Sequence, residues 1–487
     1  MTHKEKYFVS AFLIIYVIRL IVIGFMGLMP QDAYYYFYSE HLAMSYFDHP
    51  PMVAYMLKFF SLFFGKSVFV VKLTDFLVTL FSFFSFYYLC NLFLSKNKAM
   101  QTTLLFGTTF IVTLLSINTT PDVPLILFWI LSLIALFKAV FENKLVFWIL
   151  SGILMGLAFD SKYTGLFLLF GLFTFLLFSK KHRKFLFSKE ILLTVLFFLI
   201  TISPIFIWNY QNDWLSFKFQ STDRVSSGFN LSPKLFFGNI GTQMLLLMPI
   251  LFGAIFFSFY KLGKKSYFNK RLPEEKILFL ISFSLPIIAF FFLISSVYWV
   301  KINWIIPGYL AAIILTGRYL SEKAVRIQLI SSIFLHVLFF ILIVFYPINI
   351  KSDDTWYGWE KLTEEVKLLK KDRPDSFIFS DDGYKTSAVL NFYLNENVYA
   401  GNVVGKNGLQ FSIVYKDLSF LESKNALFLD SDKKLKSESK SNKTPEELVP
   451  YFDSIIELEP ILIKNDNGVL LRKFYVFECK NYKINSN

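Results

Sequence analysis

The 487-residue sequence predicts an α-helical polytopic membrane protein with about eleven spans and a C-terminal extracytoplasmic α/β domain. Hydrophobic residues make up 55% of the chain and charged residues 17%, with a mean hydropathy of +0.51. A soluble domain carries about 25% charged residues. Long apolar runs and an uneven distribution of Lys and Arg between the loops support the same fold class. This composition excludes disordered, collagen-like, coiled-coil and disulfide-rich secreted chains.

The apolar runs predict the membrane spans. A helix that crosses a bilayer needs about 20 apolar residues, because each residue rises about 1.5 Å. The runs that meet or approach this length are Tyr7–Met29, Val68–Leu94, Thr102–Ile117, Val123–Phe141, Leu145–Phe159, Tyr163–Phe178, Ile191–Trp208, Leu235–Tyr260, Ile277–Ser296, Ile305–Thr316 and Ile327–Val344. The first run lacks a small-residue cleavage site, so we expect it to remain as an anchor rather than act as a signal peptide.

The Lys and Arg residues of the short loops predict the orientation. With a cytoplasmic amino terminus, that side collects twenty of them against seven on the other side. This bias is the positive-inside pattern of a multi-pass protein of the bacterial inner membrane. It explains the net charge of +13 without a nucleic-acid partner. Cys90 and Cys479 are too far apart in sequence to indicate a disulfide framework or a zinc cluster.

The composition changes abruptly after the last run. We expect a transmembrane domain over 1–349, with a first outer loop over 30–67, and an extracytoplasmic domain over 350–487 that is periplasmic in a Gram-negative organism. Charges become frequent there, and the apolar runs become short and alternating. The predicted elements are helices at Trp359–Lys371 and Thr386–Leu394 and strands at Ser376–Ser380, Ala426–Leu429 and Val469–Phe477.

Polar and aromatic residues are concentrated in the predicted outer loops, and the first outer loop is the densest. The candidates are Asp32, Asp48 and His49 in that loop, then Asp122, Lys162, Tyr163, Arg224, Lys301, Asn303 and Trp304 in later loops. Any one of them is explained as a helix cap or an interfacial anchor, and Asp122 could simply cap the span that follows it. Together they predict a cavity at the outer membrane surface that holds an anionic lipid head group and a polar acceptor.

Six stretches of these loops carry a family resemblance. They are Asp32-Ala33-Tyr34-Tyr35, Tyr46-Phe47-Asp48-His49-Pro50-Pro51, Thr120-Pro121-Asp122-Val123-Pro124, Ser161-Lys162-Tyr163, Trp208-Asn209 with Asn212-Asp213-Trp214, and Lys301-Ile302-Asn303-Trp304. The stretches occur in the same order as in the bacterial family 39-type glycosyltransferases of the GT-C superfamily, which the chain resembles. These are relatives of protein mannosyltransferases, lipid A aminoarabinose transferases and the galacturonosyl transferases of rhizobia. The run that ends in Phe-Asp-His-Pro-Pro is the most specific of the six.

The resemblance implies an inverting transfer of one sugar from a polyprenyl-phosphate carrier to an acceptor at the outer face. A carboxylate of the first outer loop acts as the base in this family. Its motif usually reads Asp-Glu, but this chain has Gln31 at the first position, so the role passes to Asp32, or else to Asp48 or Asp122. Aminoarabinose transferases carry Lys where this chain has His49. His49 and Lys301 are the main candidates to contact the carrier phosphate. Lys162 and Arg224 are further candidates.

The remaining roles and partners are also expectations. Asp48 would hold His49 in one tautomer, Asp122 would orient the acceptor or the first loop, and Tyr163, Asn303 and Trp304 would shape the sugar pocket. We expect no metal and no cofactor, with membrane lipids, the lipid-linked donor and a glycan, glycolipid or protein acceptor as partners. The alternatives are a transporter or flippase for a lipid-linked sugar, and an O-antigen polymerase or ligase that uses a diphosphate-linked donor.

Overall fold

The computed structural model describes residues 3–223, 230–348, 350, 352–432, 435, 437–465 and 467–484. The chain groups into two compact units. The first comprises Met1–Gly24, His49–Met56 and Lys72–Ile341, and the second comprises Phe25–Asp48, Leu57–Val71 and Leu342–Asn487. The first outer loop thus contributes mainly to the second unit. The predicted division between residues 349 and 350 stays a prediction.

The described residues before 350 are mainly helical. The helices are α1 (His3–Phe25), α2 (Pro30–Glu40), α3 (Met52–Phe64), α4 (Val68–Phe93), α5 (Lys96–Gly107), α6 (Phe110–Leu115), α7 (Asp122–Glu142), α8 (Leu145–Ser161), α9 (Phe167–Phe178), α10 (Lys189–Gln211), α11 (Leu215–Lys218), α12 (Pro233–Leu247), α13 (Pro249–Asn269), α14 (Glu275–Ser282), α15 (Leu285–Ile294), α16 (Ile306–Gly317) and α17 (Glu322–Phe345). Each predicted apolar run is thus mainly helical, which confirms the α-helical, multi-pass character of the chain.

The predicted count of eleven spans is not confirmed. Among the described residues, α1, α4, α7, α10, the pair α14–α15 and α17 are long and apolar enough to cross a membrane. A seventh span results if α12 and α13 count as one, although they are bent by 110°. Most of the other runs form helices of 12 to 17 residues. Such helices rise only about 18–26 Å, which is less than the roughly 30 Å of a hydrocarbon core.

A break between α5 and α6 interrupts the predicted run Thr102–Ile117. The Arg19 guanidinium of α1 donates to the carbonyl oxygen of Gly107 and to Oγ1 of Thr113, both at 2.7 Å. Ser332 of α17 donates to the carbonyl oxygen of Thr108 at 2.5 Å. Irregular backbone within a membrane protein persists only where such partners satisfy it, since lipid offers none. The buried Arg19 therefore has a structural function.

Loops that were predicted to be cytoplasmic meet at one face of the first unit. The contacts are Lys96 with Glu5 at 2.7 Å, Lys98 with the carbonyl oxygen of Leu320 at 2.6 Å, Lys276 with that of Leu92 at 3.3 Å, and Ser179 with Glu275 at 2.5 Å. These contacts join segments that are widely separated in sequence and that the charge pattern assigned to the same side. Which side is cytoplasmic stays a prediction.

The C-terminal part forms a mixed sheet, which confirms the predicted α/β character. Its elements are α18 (Trp359–Lys371), β1 (Phe377–Ser380), α19 (Lys385–Leu394), β2 (Val398–Tyr399), α20 (Gln410–Val414), β3 (Ala426–Ser431), β4 (Phe452–Glu457), β5 (Ile461–Lys464) and β6 (Leu470–Tyr482). The strand order is β2-β1-β3-β6-β4, and β5 also pairs with β6. The first three strands are parallel, whereas β6 runs antiparallel to its neighbours. Helix α19 packs against α2, so the first outer loop is tied to this domain within the second unit.

We expect Arg19→Met to lower the thermal stability of the purified protein, because two acceptors at the helix break lose a charged donor. Hydrogen bonds to charged groups contribute about 1.5–3 kcal/mol each, and part of that loss is offset by removal of a buried charge. Lys6→Met removes an exposed cation from the same helix and is the matched control. Equal melting temperatures for both variants in detergent would contradict the structural role of Arg19.

Candidate active site

A buried polar network in the first unit contains three of the predicted site residues. The Lys162 ammonium donates to both carboxylate oxygens of Asp122 at 2.9 Å, and the Asn303 side-chain amide donates to the same carboxylate at 2.5 Å. Asp122 is fully buried, and Lys162 is 6% exposed. A buried charge persists in a protein only when it is paired and hydrogen-bonded, and this pair satisfies that requirement. The geometry favours a positioning role for Asp122, because its oxygens are already engaged.

Local structure places the members of this network. Asp122 is the first residue of α7, where the unpaired backbone amides of a helix amino terminus favour a carboxylate. Lys162 directly follows α8, at a turn into a short 3₁₀ helix, Tyr163–Leu166. A Cβ atom on Gly165 would lie 2.5 Å from the backbone nitrogen of Phe159, so this tight turn requires glycine.

Two residues of α4 hold the segment that leads to Asp122. The Lys72 ammonium donates to the carbonyl oxygen of Ile117 at 2.7 Å, and Thr119 donates to the Asp75 carboxylate at 2.7 Å. Both charged residues are fully buried. The sequence shows them only as ionisable groups within a span. Their spacing of three residues, which places them on one helix face, was the signal that could have indicated a shared role.

The segment before α16 carries Lys301, Asn303 and Trp304. Gln243 of α12 donates to the carbonyl oxygen of Ile302 at 3.0 Å, which fixes the backbone beside Asn303. The Lys301 side chain is exposed, whereas those of Asn303 and Trp304 are half-buried. Lys301 therefore offers a cation at the surface of the segment that the buried network anchors. Gln243 was not among the predicted site residues.

Other aromatic and hydroxyl side chains lie beside two further pocket candidates of this unit, Tyr163 and Trp304. The Tyr163 hydroxyl lies 2.5 Å from that of Ser216, and the Trp304 ring is nearly parallel to that of Tyr298 at 6.2 Å. His49 lies in the same unit and is half-buried. The predicted roles of Tyr163 and Trp304 in a sugar pocket stay predictions. Arg224 lies outside the described residues.

The carboxylates of the first outer loop belong to the second unit. Asp32 is fully buried in the first turn of α2 and accepts the backbone N–H of Met29 at 2.8 Å. Asp48 is half-buried and accepts a hydrogen bond from the Tyr38 hydroxyl. Burial, reinforced by the charge of Asp48, raises the pKa of Tyr38 well above its ordinary value. Tyr38 therefore stays protonated and can donate to Asp48 throughout the physiological range.

Tyrosine residues of α2 connect these carboxylates to the C-terminal part of the second unit. Tyr34 stacks on Tyr384 at 4.2 Å, and its hydroxyl accepts the backbone N–H of Gln410 at 3.3 Å. The Gln410 side chain accepts the backbone N–H of Phe47 at 2.9 Å. Helix α2 and the loop that leads to Asp48 are thus both held by residues of the C-terminal domain. In the described residues, no group of three or more His, Cys, Asp or Glu side chains has a geometry that could hold a metal ion.

Comparisons with known proteins agree with the sequence motifs. Residues 48–208 match the family described as dolichyl-phosphate-mannose-protein mannosyltransferase. This segment is about one third of the chain and contains Asp48, His49, Asp122, Lys162 and Tyr163. Among curated protein sequences, none is significantly similar to this chain.

Solved structures share the fold at low sequence identity. ArnT from Cupriavidus metallidurans in the apo state aligns over 98% of both chains, with 13% identity and a TM-score of 0.61. The same protein bound to undecaprenyl phosphate aligns over 97% of both chains, with 14% identity and a TM-score of 0.61. The Archaeoglobus fulgidus oligosaccharyltransferase in complex with zinc and sulfate aligns over 96% of this chain and 72% of its own, with 12% identity and a TM-score of 0.50.

Together these matches confirm the resemblance predicted from the sequence and the prediction of a glycosyltransferase. The structural matches extend over nearly the whole chain and show that the membrane part and the C-terminal sheet occur together in a known fold. The roles of the individual site residues stay predictions.

We expect Asp122→Asn to destabilise the protein strongly, because it leaves the buried Lys162 ammonium without a counter-charge. Breaking a buried ion pair from one side costs about 3–5 kcal/mol. The double variant Asp122→Asn/Lys162→Met removes both charges and should recover most of the lost melting temperature. A single variant as stable as the wild type would contradict the structural importance of this pair.

Proposed function

We propose that the chain transfers one sugar from a polyprenyl-phosphate carrier to a hydroxyl group of a cell-envelope acceptor, with inversion at the anomeric carbon. The observation that carries this proposal is the family match at residues 48–208, which includes both Asp48-His49 of the first outer loop and the Asp122–Lys162 pair. The proposed site is the outer face of a bacterial inner membrane, with the amino terminus in the cytoplasm. The acceptor is a lipid A or other surface glycan, or a protein.

The lipid-phosphate donor is supported by a similar structure that was solved with undecaprenyl phosphate. In this chain the leaving phosphate needs a cation that a ligand can reach. Lys162 is buried and directs its ammonium at both oxygens of Asp122. The exposed Lys301 and the half-buried His49 are therefore the better candidates for the phosphate. Lys162 then acts as a positioning residue rather than as a direct ligand.

The proposed reaction is a single displacement at the anomeric carbon. The acceptor oxygen forms the new bond to C1 and loses its proton to a carboxylate, while the bond between C1 and the carrier phosphate breaks. The lipid phosphate leaves with the electron pair. Attack opposite to the leaving group inverts the configuration. A carboxylate base and cationic stabilisation of the leaving group supply the two effects that this reaction needs.

Asp32 is the proposed base, with Asp48 as the alternative. The backbone N–H of Met29 holds the Asp32 carboxylate, and the Tyr38 hydroxyl holds that of Asp48. Both carboxylates therefore have a fixed orientation, which general-base catalysis requires. The first acid of the family motif is absent here because residue 31 is glutamine. Activity measurements on matched variants have to decide between the two aspartates.

A transport function is less well supported by the same contacts. A transport pathway needs polar groups that face a cavity near the middle of the membrane. Arg19, Lys72 and Asp75 are instead buried and hydrogen-bonded to nearby backbone or hydroxyl groups. Their contacts account for them as structural residues. No contact among the described residues favours the flippase over the transferase.

We expect Asp32→Asn to slow transfer strongly without loss of folding. An Asn side chain can still accept the Met29 amide hydrogen, but it cannot take a proton from the acceptor. Loss of a general base lowers the rate by about 10²–10⁴-fold. Turnover of a monophosphate-linked sugar by purified protein should fall by that factor at an unchanged melting temperature, and the lipid-linked sugar should accumulate in cells.

Asp48→Asn is the comparison for this experiment, since it also keeps an acceptor for the Tyr38 hydroxyl. If Asp32→Asn retains turnover whereas Asp48→Asn does not, the base is Asp48. If neither variant changes turnover, the proposed mechanism is wrong. Preference for a diphosphate-linked donor would support a polymerase or ligase instead.

We expect Lys301→Gln to raise the KM for the lipid-phosphate donor by about tenfold, because a cation that faces the phosphate contributes on the order of 1 kcal/mol or more. The side chain is exposed, so the melting temperature should not change. Lys234→Gln removes another exposed cation from a predicted outer loop and serves as the control. Equal donor KM values for the two variants would exclude Lys301 from the phosphate site.

A further inference from the structure

A polar cavity lies in the first unit, where α13 and α16 end. It has a volume of about 550 Å³ and contains Lys265 near the end of α13, Arg271 in the following turn and Arg318 directly after α16. Asn303 precedes the first residue of α16, and Arg318 follows its last. Since twelve helical residues rise about 18 Å, this cavity is separate from the Asp122–Lys162–Asn303 network.

Three cations line this cavity without a carboxylate partner among the described residues. Within the described part of the chain, no carboxylate lies within 4.0 Å of the charged nitrogens of Lys265, Arg271 or Arg318. Arg318 makes one long hydrogen bond of 3.4 Å to the carbonyl oxygen of Phe93. Glu274 is the acidic member of the lining, so the cavity carries an excess of positive charge. Such an arrangement is suited to a ligand with a negative charge.

The other walls of the cavity suit an amphipathic ligand. Leu262 and Ile277 form a buried apolar part of the lining, whereas Leu272 at the edge is 50% exposed. Next to the cavity, the side chains of Tyr267 and Phe268 are 80% and 70% exposed. Exposed aromatic side chains at the end of an apolar helix are typical of the head-group layer of a membrane. A soluble anion would need the cations but not these apolar surfaces.

We propose that this cavity binds the anionic head group of a membrane phospholipid. The phosphodiester lies among Lys265, Arg271 and Arg318, and the acyl chains extend along the apolar edge at Leu272. Basic pockets between helices on the cytoplasmic side bind such head groups. The charge pattern predicts this face to be cytoplasmic, which agrees with the proposal. The bound lipid would stabilise the junction of α13 and α16.

The test uses the purified full-length protein in a non-ionic detergent and a double variant, Lys265→Gln/Arg271→Gln. Both side chains are exposed and make no ion pair among the described residues, so the variant should fold. The matched control is Lys264→Gln/Lys270→Gln, which removes the same charge from exposed positions of the same helix end outside the cavity lining. Phosphatidylglycerol, phosphatidylcholine and inorganic phosphate are the probes. Bound lipid is counted by native mass spectrometry, and stability is followed by melting temperature.

We expect the wild type and the control variant to retain phosphatidylglycerol and to melt at a higher temperature in its presence. The double variant in the cavity should bind it at least tenfold more weakly, and phosphatidylcholine should have no such effect on any of the three. Equal loss in both double variants would indicate unspecific attraction to basic charge and would overturn the proposal. A similar stabilisation by inorganic phosphate would also overturn it, in favour of a site for a free anion.

Discussion

The ion pair between Asp122 and Lys162 is the interaction on which the rest of the candidate site depends. It joins the first residue of α7 to the end of α8, two helices that are adjacent in sequence and pack along their length. Asn303 adds the segment before α16 to the same carboxylate. Three segments that carry predicted site residues are therefore held by one buried side chain. Its burial makes the pair costly to break, and this cost fixes the relative positions of the three segments.

The need to pair buried polar groups also explains other polar residues of the first unit. Lipid offers no hydrogen bonds, so every break in a helix within the membrane part has to be satisfied by protein groups. Arg19 does this for α5 and α6, Lys72 for the segment after α6, and Gln243 for the segment before α16. Gln328 does the same for the bend between α12 and α13 by donating to the carbonyl oxygen of Leu247 at 3.0 Å. The polar groups of the spans thus maintain an irregular backbone beside the segments that carry the candidate site residues.

The sequence was sufficient for the fold class, for individual helices and for the family resemblance. The boundaries of Val68–Phe93 and Trp359–Lys371 follow from uninterrupted apolar or amphipathic patterns. The number of spans could not be predicted, because hydropathy does not report where a helix ends within an apolar run, or where it bends as it does after Leu247. The Asp122–Lys162 contact spans 40 positions in the sequence and depends on how two helices pack, which a single sequence does not encode locally. The two-residue strand β2 is too short to produce an alternating pattern.

Helix α16 connects the Asp122–Lys162–Asn303 network of the first unit to the cavity that contains Arg318. All twelve of its residues are buried, and a Cβ atom on Gly317 would lie 2.1 Å from Oγ1 of Thr102, so α5 and α16 approach each other closely. A helix packed this tightly cannot shift without a change in its neighbours. The segment with Asn303 therefore takes its position from a rigid element, and the loop with Arg318 at the opposite end does so too. This arrangement lets the Asp122 network keep its geometry even though Lys301, two residues from Asn303, is exposed.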